Sequence, residues 1–185
     1  MTSLPVLGTE RLRLRPFSLD DAPAVERLAG AREIADTTLT IPHPYPPGAA
    51  AEWIATHPEQ FEKGTGVVFA MTLKGTGELV GAIGLMVKPE HANAEMGYWV
   101  GVPYWNRGYA AEAARALIAF GFEALELERI HAHYFIRNPA SGRVMEKAGM
   151  TREGLLRHAI RKNGVFEDLA VYAILRDQFE AEGKP

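Results

Sequence analysis

The chain has 185 residues, 47% hydrophobic and 23% charged, with a formal net charge of −3. That composition suits a globular core built without staples, and the slight acidity gives no electrostatic footing for nucleic acid. The absence of cysteine excludes disulfides, thiolate metal sites and a cysteine-bound acyl intermediate. No run of about eighteen apolar residues offers a membrane span, and the charged segment around Arg11, Arg13 and Arg15 is no signal-peptide core. The expectation is a soluble cytoplasmic protein folding as one domain over residues 1–185.

In chain order, residues 10–16 alternate strictly and predict a strand with Leu12 and Leu14 inward. Arg11, Arg13 and Arg15 then share the opposite, solvated face. Ser18, Asp20 and Asp21 supply cap residues for a helix ending near Gly30. Pro42, Pro44, Pro46 and Pro47 impose a stiff loop over 41–48, followed by a helix over 49–63 with Trp53, Ile54 and Phe61 on its buried side. Strands at 67–73 and 79–86 flank a glycine-bearing hairpin loop. A further strand, 94–102, leads through a turn into a helix over 107–127, with Ala113, Leu117, Phe120 and Ala124 at core spacing.

A strand at 129–136 follows, then a helix opened by Asn138 and Pro139 and stopped by Gly149. Strands at 155–161 and 165–175 flank Asn163 and Gly164, a strong hairpin signal. The order β-α-α-β-β-β-α-β-α-β-β predicts a mixed α+β fold: a mostly antiparallel sheet of about seven strands with helices on both faces.

One stretch carries the clearest chemistry. Strand 94–102 ends in Gly101, where a bulge or a close backbone approach fits. Gly108, Ala110 and Ala111 then keep the first turn of the next helix bare. The N–H groups of such a turn lack intrahelical partners and sit at the positive end of the helix dipole, so a phosphate fits there.

Three separated segments carry a family resemblance: Thr9-Glu10-Arg11-Leu12-Arg13-Leu14-Arg15-Pro16, Pro42-His43-Pro44-Tyr45, and Tyr104-Trp105-Asn106-Arg107-Gly108-Tyr109-Ala110-Ala111-Glu112-Ala113. With the later Asn138-Pro139-Ala140-Ser141-Gly142-Arg143 run and the element order, the chain resembles the GCN5-related N-acetyltransferases (GNAT), in their RimJ/RimL-like branch. The resemblance implies the GNAT fold, acetyl-CoA as cosubstrate, no metal and an amine acceptor, by direct attack in a ternary complex. The acceptor it implies is a protein N-terminal α-amine, with a small-molecule amine or a non-catalytic acyl-CoA-binding role as alternatives. A homodimer is compatible with it; a nucleic-acid or membrane partner is not expected.

Two positions depart from the family pattern. Trp105 stands where the general cofactor motif begins with Gln or Arg, and Met145 stands where many members carry a proton-donating Tyr.

Carried onto these residues, the resemblance implies that backbone groups of Arg107, Gly108, Tyr109, Ala110 and Ala111 bind the cofactor pyrophosphate. Val100, Gly101 and Val102 would bind the pantetheine arm as an added strand, with a backbone N–H near Val100 as oxyanion donor. Asn138 and Ser141, one helical turn apart, would contact the cofactor, with Ser141 as the acid toward the leaving thiolate. Asn138 is also a good helix cap whatever its function, and a first-turn serine is commonly a local hydrogen-bonding residue. Glu95 is the candidate base, against a plain reading as a solvent-reaching strand charge. His43, Tyr45 and Tyr98 are candidate acceptor contacts. His131 and His133 share one strand face, where proton relay and packing both fit, and without carboxylate company they are a weak metal signal.

Overall fold

The computed structural model describes residues 3–181. Its sheet contains β1 (Leu7–Gly8), β2 (Leu12–Pro16), β3 (Gly66–Leu73), β4 (Leu79–Lys88), β5 (Asn93–Val100), β6 (Arg129–Phe135), β7 (Thr151–Lys162) and β8 (Val165–Leu175). Their spatial order is β1-β2-β3-β4-β5-β6-β8-β7. Neighbours are antiparallel except β5 and β6, which run parallel. The helices are α1 (Ala22–Ala29), α2 (Arg32–Thr37), α3 (Ala49–Ala55), α4 (His57–Glu62), α5 (Tyr109–Glu123), α6 (Pro139–Lys147) and α7 (Arg176–Ala181).

Alternation along the strands divides the apolar residues between two cores. On one face Leu12, Leu14, Met71, Ile83 and Met96 pack with Leu117 of α5 and Met145 of α6. On the other, Ala70, Ala82 and Trp99 pack under Val25 and Leu28 of α1 and Ile54 of α3. Helices therefore cover both faces of a mostly antiparallel sheet, as the element order predicts.

Several boundaries differ from expectation. The helix expected over 49–63 is two helices meeting at Thr56. Pro58 lacks an N–H and crowds the carbonyl four residues back, which ends α3. The short elements β1, α2 and α7 escape a periodicity reading because each is too brief to show a period. The arginine face is not freely solvated: Arg15 pairs with Asp21 at 2.7 Å and Arg11 with Glu112 at 2.7 Å.

The feature that positions the site is a fork. β5 pairs with β6 only through Asn93, Ala94 and Glu95, opposite Arg129, Ile130 and His131. Beyond Glu95, β5 continues against β4 as far as Val100 opposite Gly81, while β6 continues against β8. The two central strands thus part company halfway along their length.

Candidate active site

The fork leaves one edge of β5 unpaired. Gly101 donates its N–H to Val80 at 2.8 Å, and ladder bonds alternate along an antiparallel pair. The N–H and C=O groups of Tyr98 and Val100 therefore point away from β4, into the fork. The Val100 carbonyl accepts from Trp105 Nε1 at 2.6 Å, which leaves the Tyr98 carbonyl and the N–H groups of both residues as the open edge. A cavity of ≈ 840 Å³ passes along this edge and is lined from both faces of the sheet.

On the α5 face, the cavity meets the helix start expected from sequence. Glu112 closes the first intrahelical bond onto Gly108 at 3.1 Å, so the N–H groups of Tyr109, Ala110 and Ala111 precede it and face the cavity these residues line. Gly108 has φ +81°, and a Cβ there would stand 3.3 Å from Arg11 Nη2; both facts favour glycine. The turn is pinned from below. Buried Glu112 accepts from Thr9 Oγ1 at 2.5 Å, from the Arg11 N–H at 2.7 Å and from Arg11 Nε at 2.7 Å, and Arg11 Nη1 reaches the Arg107 carbonyl at 2.8 Å. Burial pushes the Glu112 carboxyl up, but these donors outweigh it and hold it below the usual range.

α6 supplies the opposite wall. Asn138 occupies the N-cap without a side-chain cap bond, so its carboxamide is free of the helix, and it lines the cavity with Ser141. Tyr98 lies on this face and not on the face of Glu95. Its hydroxyl meets Ser141 Oγ at 2.6 Å and the Ser141 carbonyl at 3.1 Å. Burial pushes the Tyr98 phenol up to about 12, so it stays protonated near neutrality and anchors Ser141 by hydrogen bonding. Met145 is buried in the core and does not line the cavity. Arg143 and Lys147, exposed on α6, line the same mouth and make it cationic. Their i, i+4 spacing after Asn138 was the available sequence signal.

On the other face, Glu95 is half-buried. His133 Nδ1 stands 3.0 Å from Glu95 Oε1, and His131 Nε2 stands 3.8 Å from Glu95 Oε2. The His133 hydrogen bond is the main reason the Glu95 carboxyl lies below its usual range, against the opposing effect of burial. The histidines therefore do have carboxylate company. Glu95 and His131 face each other across the short parallel ladder, a neighbourhood no local spacing reveals. Among the described residues no group of three or more such side chains is arranged to hold a metal ion.

The floor between Glu95 and Trp99 is Gly97, paired to Gly84; a Cβ on Gly97 would meet nothing within 4 Å. Tyr45, Ile41, Leu39 and Met86 line this side. Of the residues singled out from sequence, Val100, Gly108, Tyr109, Ala110, Ala111, Asn138, Ser141, Glu95, Tyr45 and Tyr98 come together around the cavity. Gly101, Val102, Arg107 and His43 do not line it. The Gly101 N–H is spent on Val80, Val102 begins a 3-10 turn, the Arg107 guanidinium lies over the Tyr104 ring, and the His43 ring bonds the Gly30 carbonyl at 3.0 Å.

An open strand edge, free helix-start N–H groups, an unengaged Asn138 and a cationic mouth together suit a long phosphorylated thioester. The comparisons with known proteins agree. An acetyltransferase (GNAT) domain profile matches residues 11–151. The N-acetyltransferase YoaA of Bacillus subtilis (strain 168), itself uncharacterised, is 32% identical over 93% of this chain and 97% of its own length. The ribosomal-protein-serine acetyltransferase of Escherichia coli (strain K12) is 32% identical over 54% of this chain and 56% of its own. The fold is shared with the RimL ribosomal L7/L12 α-N-protein acetyltransferase in complex with coenzyme A, with a TM-score of 0.86 at 18% identity over 94% of this chain and 99% of that one. The chain belongs to the GNAT acetyltransferases, and its cosubstrate is acetyl-CoA.

Proposed function

We propose that this acetyltransferase acts on a primary amine, the α-amine of a protein or peptide N-terminus, by direct attack with both substrates bound. The observation that carries this reading is the cavity through the fork, in which the cofactor-like features lie on the α5 and α6 face and, among the described residues, Glu95 is the one carboxylate that lines it. A lone carboxylate supports an acceptor with a single cation over a polyamine. It also supports an amine that sheds its proton easily. An α-amine with a pKa near 8 is roughly a tenth neutral at pH 7, against a few parts in ten thousand for a lysine near 10.4. A carboxylate held below its usual range is a weak base and suits the first kind of amine. The ribosomal-protein-serine acetyltransferase among the relatives supports the same class.

In this reading the Val100 N–H polarises the acetyl carbonyl; one such donor contributes about 3–4 kcal/mol of barrier lowering. Ser141, steadied by Tyr98, hydrogen-bonds the departing sulfur in place of the tyrosine absent at Met145. Glu95 draws the acceptor nitrogen to the far side of the fork. The test is thiol release from acetyl-CoA across a panel of peptides with free N-termini, N-terminally blocked lysine peptides and polyamines. Release is expected first with free N-termini; turnover confined to polyamines or lysine side chains would overturn the assignment.

A further inference from the structure

Glu95 does not meet the cavity alone, and the atoms around it point to a different proton acceptor. An ionised carboxylate only accepts, so the 3.0 Å ion-pair contact between Glu95 Oε1 and His133 Nδ1 favours the neutral tautomer with its hydrogen on Nδ1. In that tautomer Nε2 carries the lone pair; it has no hydrogen bond among the described residues, and His133 lines the cavity. We propose that His133 Nε2 is the general base that takes the acceptor amine's proton, with Glu95 as the residue that orients His133 and stabilises its charged form. The proposal rests on the amine-acetyltransferase reading above.

The surroundings favour this division of labour. Glu95 is held below the usual carboxylate range, first by the His133 hydrogen bond, and so makes a poor base but a good counter-charge. His131 approaches the other oxygen at 3.8 Å, too far for a hydrogen bond. Burial keeps it neutral, its own pKa being lowered, and its Nδ1 is buried without a partner. His131 thus does not compete for the proton on His133. The other charges acting on the cluster are Lys88, which faces Glu95 and His131, and Arg129 with its partner Glu153, which act on His131.

The proton balance is simple. The nitrogen–carbon bond forms and the carbon–sulfur bond breaks; one nitrogen proton passes to Nε2 and on to water, and the thiolate takes a proton to leave as coenzyme A. An acceptor arriving as an ammonium ion first releases one further proton to solvent.

The discriminating variant is His133→Gln, whose amide can still donate to Glu95 but cannot take a proton. With saturating acetyl-CoA and a free-N-terminus peptide, kcat/KM is expected to fall about a hundredfold, with coenzyme A affinity unchanged. His133→Ala with added imidazole should recover part of the lost rate. A His133→Gln enzyme within threefold of wild type, with the same pH profile, would overturn the inference while leaving the acetyltransferase reading intact. Absence of turnover in wild type with every amine would instead remove the reading beneath it.

Discussion

The two halves of the cavity are built differently. On the cofactor side the groups are mostly backbone: the Tyr98 and Val100 edge, and the free N–H groups of Tyr109, Ala110 and Ala111. They are held in place by side-chain contacts beneath them, chiefly buried Glu112 with Arg11, and Tyr98 with Ser141. On the acceptor side the groups are side chains, Glu95 and His133 among exposed apolar residues such as Leu39 and Met86. A site made of backbone tolerates sequence change as long as the fold persists. A site made of side chains carries the specificity, and it changes with each substitution.

Gly97→Val breaks this comparison most sharply. The added side chain enters open space above the acceptor floor, so the strand is not strained. Acceptor kcat/KM should fall about a hundredfold through misplacement of the amine, while calorimetry should find coenzyme A affinity unchanged. Equal losses on both sides would mean that the halves are not separable.

Acid separates the halves in another way. His57 lies at the start of α4 with its ring against Trp53, which lines the cavity, and Phe17. Both its ring nitrogens are buried without partners, and burial lowers its pKa from 6.5 to about 4. The unfolded chain therefore takes up this proton before the folded one does. The stability contribution is complete above pH 6.5 and is lost as pH falls toward 4, amounting to about 2 kcal/mol at pH 5. His57→Phe should accordingly raise Tm relative to wild type by several degrees more at pH 5 than at pH 8; equal shifts at the two pH values would exclude the effect.

Gly108→Ala probes the cofactor side alone. A non-glycine residue in the left-handed region costs roughly 1–2 kcal/mol, and relief of that strain would move the N–H groups of the first turn. Coenzyme A affinity should drop about tenfold with little change in acceptor KM at saturating cofactor. The smallest effect belongs to Tyr98→Phe. Removing the hydroxyl frees the Ser141 side chain at a cost of about 1 kcal/mol, read as a kcat reduced about fivefold with coenzyme A binding retained.

The same contrast explains what could be read from the sequence. The half proposed for the cofactor was legible in part, because its signals are local: Gly108 before a run of alanines, Asn138 before Pro139 and Ser141 one turn on all line the cavity, whereas Gly101, Val102 and Arg107 do not. The strands were legible where alternation was strict, as at Leu12 and Leu14. On the opposite side Glu95 and Tyr45 were legible singly, but the meeting of Glu95 with His133 was not. Glu95 and His133 lie on strands separated by the whole of α5, and they meet only because β5 and β6 pair in parallel for three residues before diverging. Tyr98 shows the same limit. Its position on the strand was clear, but its partner depends on where the fork opens, and this puts its hydroxyl on Ser141, on the face opposite Glu95.

The most direct test of a cavity divided by the fork is a crystal structure with a bisubstrate conjugate, coenzyme A joined through its sulfur and an acetyl bridge to a peptide α-amine. The pantetheine is expected along the Tyr98–Val100 edge, the phosphates at Gly108 to Ala111, and the peptide crossing Gly97 with its nitrogen beside His133 and Glu95. A peptide that leaves along the α5 and α6 face, without passing Gly97, would contradict that division.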